Sequence, residues 1–277
     1  MATTTAPAGV TSQARRAPRG TWSRLRRRGS QAAFFAAVLV VWIGVRRLDL
    51  LPELALPDPV AVAGEFADLV TTAAYWTAIG ETLRSAVFGL GAAILVGVPV
   101  GLVLGTYPLA DRSTRVVVEV GRSFPVIAVL PVLLLVLGAN LQTKGTVVFL
   151  ACVFPLIIQA QYGARSLSAA IEETVRSYRI PRLLRFRKVV LPAAAPSVMT
   201  GLRLTSTMAV LVSIGVEILT PVPGIGGEIV QGQLDGNSPV AYAYILTASV
   251  IGYSINQLSQ VSEARLLAWR PPADLDD

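Results

Sequence analysis

Apolar blocks of about 15–25 residues, separated by short charged segments, run through most of the chain, and that pattern leaves few folds open. A helix of about 20 such residues crosses a hydrocarbon core of about 30 Å, and in lipid every backbone polar group must be satisfied internally. The blocks fall near 31–45, 81–106, 116–137, 146–162, 197–219 and 241–261. Of 277 residues 15% are charged, against about 25% in soluble domains, so little chain remains for a second, soluble core. The expectation is an all-α integral membrane protein with six transmembrane helices.

The net charge of +7 raises the possibility of a nucleic-acid partner, which the placement of the charges argues against. Arg15 to Arg28, Arg112, Arg115, Arg165 to Lys188, Arg265 and Arg270 fall on one side of a six-span topology. Only Arg46, Arg47 and Lys144 fall on the other. The positive-inside rule then puts both termini in the cytoplasm of a multi-pass plasma (inner) membrane protein. Aromatics are not interleaved with the basic residues as a base-stacking surface requires, so no nucleic acid is expected. The absence of histidine removes His-ligated metal sites and His-dependent triads. Cys152, the only cysteine, lies in an apolar block and reads as a small buried hydrophobe.

The organisation read from composition is a disordered basic tail over 1–30, a six-span domain over 31–262 and a cytoplasmic tail over 263–277. The first block follows a basic stretch as in a secretory signal, but Arg46 and Arg47 come next and no small-x-small site is in place, so an uncleaved helix is expected. Residues 48–80 form an acidic outer loop with a short interfacial helix from Val60 to Thr72. Ala93, Gly97, Gly101 and Gly105 step by four along one helix face, where another helix can approach, within the subunit or across a dimer seam. Pro125 and Pro131 should kink the third block, and Glu119 and Arg122 can pair there. Ionisable or amide groups inside spans often mark a pathway. Gln159 and Glu217 are the pathway or gate candidates, with an interfacial carboxylate as the plainer reading of Glu217.

The segment 167–196, LSAAIEETVRSYRIPRLLRFRKVVLPAAAP, lies between the fourth and fifth blocks and is the longest cytoplasmic loop. Ser168 can cap a helix from about Ala169 to Tyr178, with Glu172 and Glu173 near its positive end. Pro181 suits the start of a second helix, which should end near Val190, before Pro192. This loop resembles the EAA loop of bacterial ABC importer permeases: Glu-Ala-Ala, three residues, Gly, nine residues, then aliphatic-x-Leu-Pro. With Leu191 and Pro192 aligned, Val189 takes the aliphatic position, Arg179 the Gly position, and Glu173, Thr174 and Val175 the Glu-Ala-Ala positions. KVVLPAAAPSVMTGLRL from Lys188, LLPELALPDPVAVAGEF, ETLRSAVFGLGAAILVGVPVGLVLG and GIGGEI from Gly224 are also similar to the family, so the resemblance covers about 48–262. It is to the nitrate, taurine and aliphatic-sulfonate type of permease.

The resemblance implies a subunit that forms a path for a small anionic solute. Glu172, Glu173, Thr174, Val175, Arg176, Ser177, Tyr178, Arg179, Ile180, Pro181 and Arg182 would form a coupling surface. The implied partners are two ABC-type ATPase subunits, a second permease copy or paralogue, an extracytoplasmic solute-binding protein and the lipid membrane. No cofactor is expected on this chain. It lacks a GxxxxGK[ST] loop, so ATP and Mg would be held by the partner ATPase. Thr174, Val175 and Arg179 depart from Ala, Ala and Gly, and Arg179 is strained if its position needs φ above zero. The alternatives are a membrane-embedded enzyme, which the lack of clustered intramembrane acids and histidine disfavours, and a stand-alone secondary transporter, which usually shows internal repeats.

Overall fold

The computed structural model describes residues 21–269, and all regular secondary structure among them is helical. Among the described residues, 21–51 make one compact unit and 52–269 a second. The first holds α1 (Thr21–Arg47), which contains the expected first span. Residues 21–30, expected within the disordered tail, are the opening turns of that helix. Residues 1–20 and 270–277, with the tail expectations that fall on them, lie outside the described residues. Phe34, Phe35, Val40 and Val41 of α1 are exposed.

The second unit is built on three mutually packed helices, α3 (Ala73–Thr106), α6 (Leu141–Arg165) and α9 (Leu191–Leu219). The small-residue stripe of α3 lies against α6: a Cβ at Gly97 would stand 3.0 Å from Val153 O, and one at Gly105 would stand 2.7 Å from Gln161 O. The stripe therefore serves close packing within the chain. Cys152 and Leu156 of α6 are fully buried beside it. Around this core sit α2 (Pro59–Val70), α10 (Ile225–Leu234) and α11 (Ser238–Leu266), the last packed on α9, α10 and α2. Asp58 caps α2 through Val60 N at 2.7 Å, close to the expected interfacial helix.

The third apolar block is not one helix. It divides into α4 (Pro108–Ser123), a 3-10 turn (Val126–Val129) and α5 (Leu130–Leu137), with an 83° bend between the halves. Pro125 forces the residue before it out of helical geometry, and Phe124 takes φ −71 and ψ 128. Pro131 starts α5, where its missing N–H costs nothing. Glu119 pairs with Arg115 at 3.6 Å, correcting the expected pairing with Arg122. Arg203, on α9, reaches Glu263 of α11 at 3.7 Å. Among the described residues four helical rods are long and apolar enough to span a membrane: α3, α6, residues 182–219 and α11. The bent pair makes five if it counts as one span, so six is not reached on length and apolarity.

Candidate functional site

The segment between α6 and α9 is ordered as a short helix, a tight reversal and a second helix. α7 (Ala169–Ser177) is capped by Ser168, whose hydroxyl accepts from Ile171 N at 3.4 Å. Its C-terminus closes with Ile180 N donating to Val175 O and Arg179 N donating to Arg176 O, both at 3.1 Å. This is the Schellman pattern, in which the residue one past the cap takes the left-handed region and is usually glycine. Here that residue is Arg179, at φ +48. The departure noted in the sequence therefore falls where the backbone needs positive φ, at a cost of about 1–2 kcal/mol.

After the reversal, α8 (Arg182–Arg185) leads into a widened turn of π type over Phe186–Val190 and then directly into α9. The second helix was expected to stop before Pro192; instead the rod is continuous. The widened turn, with Leu191 N bonded to Phe186 O, loosens the ladder just before the proline ring that a regular helix would not accommodate.

The structure brings the eleven expected loop residues together at one end of the bundle. Glu172, Glu173, Thr174, Arg176, Ser177, Tyr178, Arg179, Pro181 and Arg182 are exposed, Ile180 is half-buried and Val175 is buried. Val175 and Ile180 occupy the positions whose apolar contact commonly closes such a motif. Glu172 reaches Arg185 at 3.7 Å across the reversal. Around these charges Ile171, Tyr178 and Leu183 stand in the open, Tyr178 at 79% exposure and Leu183 at 71%. A shallow concavity of about 290 Å³ between the two helices is lined by Val175, Arg179, Ile180 and Arg182 among others.

Glu217 lies at the other end of α9, with its carboxylate buried inside the bundle. It is 1% exposed and forms an ion pair with Lys144 at 2.6 Å. Thr82 donates to its second oxygen at 2.8 Å and Gly226 N at 3.0 Å. Thr82 in turn accepts from Ile225 N at 2.9 Å, Lys144 donates to Pro223 O at 2.9 Å, and Ser85 and Ser213 share a hydroxyl contact beside them. Gly224, at φ +151, lets the turn before α10 wrap the carboxylate, since a Cβ there would overlap it. The result is a buried polar knot tying α3, α6, α9 and the turn that leads into the start of α10. The sequence places Lys144 between two apolar blocks, on the outer side, whereas it lies in the first turn of α6, 2% exposed. A lone lysine opening an apolar block, with one intramembrane carboxylate elsewhere, was the signal available.

Gln159 is half-buried on α6 against Gly201 of α9. Gly201 precedes Glu217 by 16 residues on one helix, about 24 Å of rise, so the two pathway candidates belong to different levels of the bundle.

The family model described as "Binding-protein-dependent transport system inner membrane component" matches residues 97–268. The taurine transport system permease protein TauC of Escherichia coli (strain K12) is 25% identical over 239 residues, covering 84% of this chain and 87% of the relative. The nitrate import permease protein NrtB of Leptolyngbya laminosa is 27% identical over 233 residues, covering 80% and 83%. A chain of the MetNI methionine ABC transporter, solved in inward-facing conformations, superposes with a TM-score of 0.63 at 19% identity. That likeness covers 69% of this chain and 95% of the other, and it concerns the fold.

Proposed function

The chain belongs to the family of binding-protein-dependent transport system inner membrane components, and from that premise we propose that it is the permease subunit of an ATP-driven importer for a small anionic solute. It is a multi-pass membrane protein of a transport family rather than an enzyme. In this reading ATP hydrolysis resides on two partner ATPases that dock on the α7–α8 loop, from the cytoplasm. A second permease copy or paralogue completes the path, and an extracytoplasmic binding protein delivers the solute.

The observation that carries the reading is the loop itself. A two-helix element with a closed reversal projects Ile171, Tyr178 and Leu183 among charged residues. Exposed aromatic and aliphatic side chains surrounded by charge are what a docking surface needs. Because α8 runs through the widened turn into α9 without a break, force applied at the loop passes into a rod ending at the polar knot. Val175 acts in this reading as the internal anchor of the loop, and Glu173 and Tyr178 as contacts. The anionic cargo is carried over from the relatives named for taurine and nitrate.

Affinity purification from gently solubilised native membranes tests this. An ABC-type ATPase should co-purify and be lost with Tyr178→Ala or Glu173→Ala while the permease stays folded. No ATPase in the sample, under conditions that keep a known importer intact, would sink the reading.

A further inference from the structure

The charged face of α4 is left unexplained by the coupling loop and the knot. Asp111, Arg115, Glu119 and Arg122 fall along one side of α4, at spacings of four, four and three. They face Ile158, Gln161, Tyr162 and Arg165 of α6 across a cavity of about 250 Å³. The other side of α4 is apolar and exposed, with Leu109 at 79% and Val116 at 71%. In lipid a helix with these two faces keeps its apolar side outward and its polar side toward a wet cavity.

Within the cavity the charges do not balance. Asp111 binds Arg165 at 2.7 Å and accepts from Gln161 at 2.5 Å. Glu119 is held by Arg115 at 3.6 Å. Both carboxylates are thus engaged, and Arg122 has no ion-pair partner among the described residues. Its height matters as well. A Cβ at Gly121, one residue before it, would overlap the ring of Phe154, the fourteenth of the 25 residues of α6. Arg122 therefore stands level with the middle of a membrane-spanning helix, where an uncompensated guanidinium is expensive. Its planar fork suits an oxyanion bidentately.

We propose that the α4–α6 cavity is an oxyanion-binding site, with Arg122 as the cation that meets a sulfonate- or nitrate-like solute in transit. The proposal rests on the permease reading and gives its anionic cargo a place in this chain. An anionic lipid headgroup carries the same chemistry, so the test separates the two sources. The purified transporter in phosphatidylcholine nanodiscs is titrated with ethanesulfonate, nitrate and sulfate by calorimetry. In parallel, nanodiscs containing phosphatidylglycerol are analysed by native mass spectrometry for retained lipid.

The expected result is saturable binding of at least one free anion in phosphatidylcholine. It should weaken at least tenfold in Arg122→Gln and less, by about three- to tenfold, in Arg122→Lys, which keeps the charge but loses the fork, with unchanged thermal unfolding. Equal anion binding by the wild type and Arg122→Gln overturns the site, as does no saturable binding by the wild type in either arm. Retention of phosphatidylglycerol alone, lost in Arg122→Gln, overturns the transit role and leaves a headgroup site. If Arg122→Gln fails to fold, the wild-type titration and Arg122→Lys still decide. Recovery of the ATPase is scored on the same samples, so failure of the permease reading is seen separately from failure of the site.

Discussion

The two ends of the α9 rod are held by opposite means. At its C-terminal end Glu217 is locked by an ion pair, a side-chain hydroxyl and a backbone N–H, all out of solvent. At its N-terminal end the α7–α8 loop is mostly exposed, its Glu172–Arg185 pair spans 3.7 Å, and its turn carries a strained Arg179. A buried, fully engaged network penalises every partial opening, because each freed group is left without a partner. An exposed loop loses little when it shifts, since water replaces what it releases. One end is built to keep its geometry, and the other can shift at little cost.

The largest expected effect breaks the rigid end. Glu217→Ala strands Lys144 among buried groups and should cost about 3–5 kcal/mol, read as a lower thermal unfolding midpoint of the purified protein. Adding Lys144→Met should recover more than half of that loss; equal destabilisation by the single and double variants would mean the pair is not the source. Gly101→Leu should come next. Its side chain would enter the α3–α6 contact at the Ile157 carbonyl, costing about 1–3 kcal/mol or more in the same measurement.

Thr82→Val removes the hydroxyl that serves both Glu217 and Ile225 N, and should cost about 1–3 kcal/mol. Amide hydrogen exchange sharpens the contrast without mutation: amides of 224–229 should exchange more slowly than those of 176–186. The reverse order would mean that the loop, not the knot, is the fixed end. The smallest effect runs the other way. Arg179→Gly relieves the left-handed strain and should raise stability by about 1 kcal/mol, less the cost of a more flexible unfolded chain.

Much of this was legible in the chain. The apolar blocks located α3, α6, α9 and α11, and Ser168, Pro181 and the Leu191-Pro192 pair located the loop. Arg179 stood out before the backbone was known, because the resemblance to the EAA loop puts glycine at its position. A straight third span and a stop before Pro192 are among the readings that did not survive. The block at 116–137 is as apolar as a span, yet Pro125 folds it through 83°. Residues 186–192 continue as helix where a proline usually signals a stop, because a widened turn absorbs the strain.

What the sequence determined by itself is whatever repeats locally: helix by apolar run, cap by hydroxyl, close approach by glycine spacing. These follow from neighbours within one or two turns of the chain. The tertiary structure alone decided that Lys144 and Glu217, 73 positions apart, meet in one buried pair, and that Arg122 stands beside the middle of α6 with no carboxylate partner among the described residues. A charge in an apolar sequence is costly wherever it falls, but whether a partner, water or a ligand offsets that cost depends on what the fold places opposite it.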